Sequence, residues 1–110
     1  MSFERGDLLL VPFPFSDLSA AKRRPVLALT RPDSFGDFIG LPVTSRPHHT
    51  NVLAIVTADL LDGALPAASW ARTDRAVTLN ASLVLRSIAR VAEPVVDEAV
   101  RRLCSHLGQA

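Results

Sequence analysis

The chain has 110 residues, 48% hydrophobic and 21% charged, with a net charge of +1; this excludes a disordered polymer, leaves room for one compact domain, and supplies no bulk field for a nucleic acid. Cys104 is the single cysteine, which excludes a disulfide framework and a multi-cysteine zinc site. The longest apolar stretch, 8–15, holds two prolines and falls short of the about 20 residues of a spanning helix, and Glu4, Arg5 and Asp7 precede it, so we expect no membrane segment, no secretory signal and a reduced cytoplasmic setting.

In chain order, residues 7–11 read as a first strand after the turn pair Arg5-Gly6. Pro12-Phe13-Pro14-Phe15 fixes φ twice and removes two donors, so regular pairing is expected to end there. Residues 16–24 are small, polar and finally basic, the composition of a loop. A short apolar run predicts strands over 25–30 and 37–44, separated by the turn Arg31-Pro32-Asp33-Ser34, and another over 51–57. Residues 58–61 suit one helical turn before Gly63; 69–74 and 76–79 read as strand around a bulge. In 84–91 the apolar positions Val84, Leu85, Ile88 and Val91 fit a helix as well as a strand, so periodicity leaves the segment open.

The end of the chain reads as an amphipathic helix. Pro94 suits its first turn, Val96, Val100, Leu103 and Leu107 fall on one face, and Gly108 supplies a stop. Asp97 with Arg101 and Glu98 with Arg102 form acid-first pairs four apart. Five to seven short strands and one helix predict a mainly β fold, a small and strongly bent sheet or barrel.

Three polar clusters can carry chemistry. Lys22, Arg23, Arg24, Arg31 and Arg46 fall within 25 residues, against Asp33 and Asp37, and eleven of the twelve basic residues are arginine. Arginine offers a planar fork matched to phosphate oxygens, although a GC-rich genome also favours it. In Lys22-Arg23-Arg24-Pro25 the proline biases Arg24 toward extended geometry and so aims its side chain; a solvated basic loop is the plain alternative. Thr44-Ser45-Arg46 closes the third strand, where a hydroxyl can donate to a phosphate oxygen or simply begin a turn. Arg72 and Asp74, two apart, share a face of a strand, as a surface ion pair or as an acid/base pair. His48 and His49 read as loop residues, and His106 as a favourable charge at the helix end. Trp70 suits base stacking, a core position or a subunit contact. No phosphate-cradling loop, dinucleotide fingerprint or nucleophile elbow is present.

Taken as an ordered set, these segments resemble the PemK/MazF-type toxin family of bacterial toxin–antitoxin pairs. The likeness rests on Arg5-Gly6-Asp7 running into Pro12-Phe13-Pro14-Phe15-Ser16-Asp17-Leu18, on Lys22-Arg23-Arg24-Pro25, and on Pro42-Val43-Thr44-Ser45. It continues in Gly63-Ala64-Leu65-Pro66-Ala67-Ala68-Ser69, Arg72-Thr73-Asp74-Arg75 and Ile88-Ala89-Arg90-Val91. The resemblance implies a compact SH3-like barrel with a C-terminal helix, in one domain over 1–110 and usually a homodimer. It also implies metal-independent, cofactor-free, sequence-selective cleavage of single-stranded RNA, a messenger-RNA interferase silenced when a cognate antitoxin fills the groove. The family arginine before proline maps onto Arg24 and the strand-end threonine onto Thr44; in one branch Arg72 and Asp74 correspond to acid and base. Lys22, Arg23, Ser45, Arg46 and Asp17 are then the expected substrate-binding residues. The chain departs from the family in Ala89, often glycine, in Arg75, often lysine, and in having no histidine over 16–21. The other readings are a CcdB-like toxin that binds DNA gyrase without catalysis and a degenerate homologue that only binds antitoxin.

Overall fold

The computed structural model describes residues 2–13, 22–46 and 50–108. Eight strands precede one helix: β1 (Asp7–Phe13), β2 (Lys22–Ala28), β3 (Asp37–Thr44), β4 (Val52–Ile55), β5 (Leu60–Gly63), β6 (Ser69–Arg72), β7 (Val77–Asn80), β8 (Arg86–Val91) and α1 (Glu93–His106). They run β4-β6-β3-β2-β1-β8-β5, with β7 also paired to β3, in an antiparallel sheet curled into a half-barrel. The expected mainly β fold with a terminal helix is what forms.

The unbroken apolar run at Leu8–Val11 follows from burial on both faces of β1. Leu8, Leu27, Leu41, Val43 and Ala71 pack beneath Val96 and Ala99 of α1. Leu9, Val11, Val26 and Ala28 meet Phe3 and Phe38 on the opposite face, where the two rings make an edge-on contact at 4.8 Å.

Prolines inside strands are placed by partner availability. Pro12 continues β1 opposite Arg23, beyond Leu10, the last residue that β8 pairs. Pro25 stands in β2 one residue before β3 begins to pair. Pro42 lies where β3 passes from β7, whose pairing ends at Gly40, to β6, whose pairing begins at Val43. At each point one flank of the strand has no rung among the described residues, so a missing N–H costs little. The expectation that pairing stops before Pro12 is therefore corrected, and so is the loop over 16–24 in its last part: Lys22, Arg23 and Arg24 belong to β2.

Other expectations need correction too. The predicted turn over 58–61 resolves into a 3₁₀ turn at Thr57–Asp59 and an unforeseen strand, β5; the total exceeds five to seven. Residues 69–79 form two strands that both pair with β3, not one strand with a bulge. The open segment 84–91 is strand β8. On α1, Val96 and Ala99 are the buried positions, and Leu107, which caps the helix just past its last residue, is 70% exposed. Glu98 binds both Arg101 and Arg102, while Asp97 pairs with Arg5 instead of Arg101.

Arg5-Gly6-Asp7 acts as a staple. The Arg5 guanidinium holds Glu93 at 2.7 Å and also Asp97, and buried Asp7 accepts from Arg90 Nε at 2.9 Å. Gly6 donates its N–H to the Ala28 carbonyl, and its own carbonyl accepts from the Val91 N–H.

Gly63 has φ +76, and a Cβ there would overlap the Ile88 carbonyl oxygen and the Ala89 backbone, whereas Gly108 has φ +101 with open space around it. Left-handed geometry costs an L-residue about 1–2 kcal/mol. We expect Gly63→Ala to lose at least about 2 kcal/mol in urea unfolding, and Gly108→Ala about 1 kcal/mol or less.

Candidate active-site cleft

The partner change in β3 creates a cleft at the end of the sheet. Thr44, the last residue of β3, pairs with Trp70 of β6. The β2–β3 register places Val26 opposite Pro42; extended two residues, it brings Arg24 level with Thr44. Arg23, Arg24, Thr44, Ser45 and Arg46 together line one cleft of about 360 Å³, closed on its far side by Pro66, Ala67 and Ser69. Residues some twenty apart in the chain thus meet because β2 and β3 are antiparallel neighbours.

Each group is held differently. Arg24 is half-buried, its Nε shielded from solvent, and its backbone is locked opposite Val11. Thr44 Oγ1 accepts from the Arg46 N–H at 3.0 Å, which leaves the hydroxyl hydrogen to donate elsewhere. Ser45 and Arg46 are exposed at the rim. Ser69, buried, donates its hydroxyl to the Ala67 carbonyl at 2.8 Å and so fixes the opposite wall. Sequence reasoning gives Ser69 no role of its own, since a hydroxyl that only props a turn leaves no signature beyond its position before the strand.

Arg72 and Asp74 do not line this cleft. Arg72 ends β6, two residues beyond Trp70, and Asp74 lies in the following turn, so the expected common strand face is corrected. The turn itself brings them together. Arg72 Nε and Nη2 donate to the two Asp74 carboxylate oxygens, each at 3.0 Å, and both side chains are largely buried. That bidentate bond holds the Asp74 carboxyl below the usual carboxylate range against the opposing effect of burial. Asp74 is thereby ionised near neutrality, the state a base requires, and weakened as a base by the same bond.

Lys22 lies in β2; its side chain, Asp17, His48 and His49 fall outside the described residues. His106 closes the last turn of α1. Among the described residues, no three His, Cys, Asp or Glu side chains form a group that could hold a metal, and no helix is long and apolar enough to cross a membrane.

A curled antiparallel half-barrel backed by one C-terminal helix, with a hydroxyl and two strand-borne arginines at one end, defines a small β half-barrel with a basic cleft. The chain matches the model of the PemK-like, MazF-like toxins of type II toxin–antitoxin systems over residues 4–107 and belongs to that family. No curated protein sequence matches it. Its fold is similar to that of MazF in a MazE–MazF crystal structure from Deinococcus radiodurans, with TM-score 0.76, 21% identity, and 100% of this chain and 99% of that one covered. An endoribonuclease bound to its cognate antitoxin from a mycobacterial species gives TM-score 0.72 at 16% identity, over 98% and 95% of the two chains. Mycobacterium tuberculosis toxin MazF-mt6 gives 0.71 at 18%, over 94% and 98%.

The depressed Asp74 carboxyl has a pH consequence with a definite sign. The pair stabilises fully above the unfolded carboxyl's pKa, and that contribution is lost as pH falls through the lower folded value. Asp74→Asn is expected to lower stability at neutral pH and to flatten the acid limb below about pH 4, measured by urea unfolding across pH.

Proposed function

We propose that this toxin is a metal-independent, sequence-selective endoribonuclease that cleaves single-stranded RNA, working in the cytoplasm as a homodimer and held inactive by a cognate antitoxin. The observation that carries the reading is the cleft shared by Arg24 and Thr44, a guanidinium fork beside a hydroxyl with a hydrogen to donate. Support for the RNA and antitoxin comes from family membership and from the similar mycobacterial endoribonuclease with its antitoxin.

In the proposed reaction the ribose 2′-oxygen attacks the adjacent phosphorus. The 2′-hydroxyl proton goes to a base, the P–O5′ bond breaks, and the departing 5′-oxygen takes a proton. The products are a 2′,3′-cyclic phosphate and a 5′-hydroxyl. Arg24 and Thr44 stabilise charge on the phosphorane, where preorganised donors count most. Asp74 is the base candidate; Arg72 orients that carboxylate and adds positive charge. Lys22, Arg23, Ser45, Arg46 and Asp17 are assigned to substrate binding, and DNA is excluded as substrate because it lacks the nucleophile.

Purified protein incubated with a long transcript in EDTA should release fragments with 5′-hydroxyl ends. Arg24→Ala and Thr44→Val, each with folding retained, should lower the cleavage rate about 10²–10³-fold. No cleavage by folded wild-type protein would overturn the reading, and inhibition of DNA gyrase supercoiling in its place would establish a binding toxin.

A further inference from the structure

A second cleft lies at the other end of β6, and nothing in the proposed chemistry uses it. It measures about 480 Å³. Arg101, Arg102, Ser105 and His106 supply one wall; residues one and four apart on a helix form two adjacent rows, so these four make a continuous polar face. Thr50 and Thr73 face them from the sheet side.

The arginines are set in place in advance. Glu98 accepts from Arg101 Nε and Nη2 at 2.9 and 2.6 Å and from Arg102 Nε at 2.7 Å, while Arg102 Nη1 donates to the Val52 carbonyl at 2.9 Å. One carboxylate thus orients two guanidinium groups and leaves the cleft with an excess of positive charge. A guanidinium carries five N–H donors, of which Glu98 takes two from Arg101. The Glu98 carboxyl is accordingly pulled down to about 2, by Arg101 first and Arg102 second.

We propose that this cleft is a second backbone-phosphate site for RNA, a subsite that holds the strand away from the bond being cut. The proposal rests on the endoribonuclease reading. Three observations favour a phosphodiester over an acidic protein. Guanidinium forks beside hydroxyls are the donors a phosphate oxygen takes. Among the described residues, Val52 is the one apolar side chain lining the cleft, whereas protein partners anchor through buried aromatic or aliphatic side chains. The two clefts also share a strand: Ser69 lines the first, and Thr73, just past the end of β6, lines the second. Four residues at strand rise are about 13 Å, the rise of about four stacked nucleotides. The Arg72–Asp74 pair lies at the second cleft's end of β6, and His106 of that cleft acts electrostatically on Asp74. A strand running from the first cleft to the second ends beside the proposed base.

The experiment is fluorescence anisotropy of the full chain with a labelled 2′-O-methyl RNA 12-mer, which cannot be cleaved, across a salt series. The double variant Arg101→Gln, His106→Gln removes donors; Ser105→Glu instead adds a repelling charge and leaves the Glu98 bonds in place. Circular dichroism verifies folding of both. Both variants are expected to bind about 5–10-fold more weakly at low salt, and the double variant should show a log–log salt slope shallower by about 0.7 for each phosphate it no longer neutralises. Unchanged affinity and slope in both variants, with the wild type binding, would overturn the second site and leave the nuclease reading intact. Loss of binding to an acidic partner protein with RNA binding untouched would overturn it as well. A wild type that binds no RNA would bring down both proposals.

Discussion

Strand β3 is the member on which the rest depends. It pairs with β2 along one flank, but on the other flank it holds β7 from Asp37 to Gly40 and β6 from Val43 to Thr44. Between them, Leu41 and Pro42 have no partner on that flank, and there the sheet divides. Beyond that division β3 ends at Thr44, which pairs with Trp70 of β6 and also lines the cleft. Proline suits the gap because it has no donor to lose, and Leu41 on the opposite face anchors the bend in the core beneath α1.

Much of this is legible without coordinates. The sequence pattern delimits β3 over its full observed extent, and α1 by its proline start, apolar face and glycine stop. The meeting of Arg24 and Thr44 comes through the family resemblance and not through periodicity, since nothing local announces that β2 and β3 lie side by side. Three things stay hidden for physical reasons. Proline reads as a terminator, because a sequence cannot say which flank of a strand lacks a partner. Four-residue strands such as β5 are too short to show a period. And Asp97 has two arginines within reach, one four residues on and one at Arg5, and only the tertiary fold selects Arg5.

The arginine richness acquires a structural reading. Arg5, Arg72, Arg90, Arg101 and Arg102 each grip a carboxylate, most of them with more than one nitrogen. A lysine at these places would hold its partner as a point charge without fixing an angle. Most of these pairs join elements distant in sequence or fix a turn, so their value lies more in orienting neighbours than in raw stability, which for exposed pairs is small. Arg23, Arg24 and Arg46 line the first cleft and Arg101 and Arg102 the second, so these planar donor groups gather where the fold leaves an opening.

The staple at Arg5 carries a consequence for biosynthesis. Its two carboxylate partners belong to α1, and Asp7 beside it is gripped by Arg90 of β8, so Arg5 and Asp7 gain these ionic contacts from segments made last. As a nascent chain emerges, β1 to β3 can pair early, yet one apolar face of that sheet waits for Val96 and Ala99 to cover it. A polypeptide interrupted before α1 would therefore leave the ribosome with an uncovered greasy surface and stranded charges. Truncated copies of the toxin would be prey for proteases before they could accumulate.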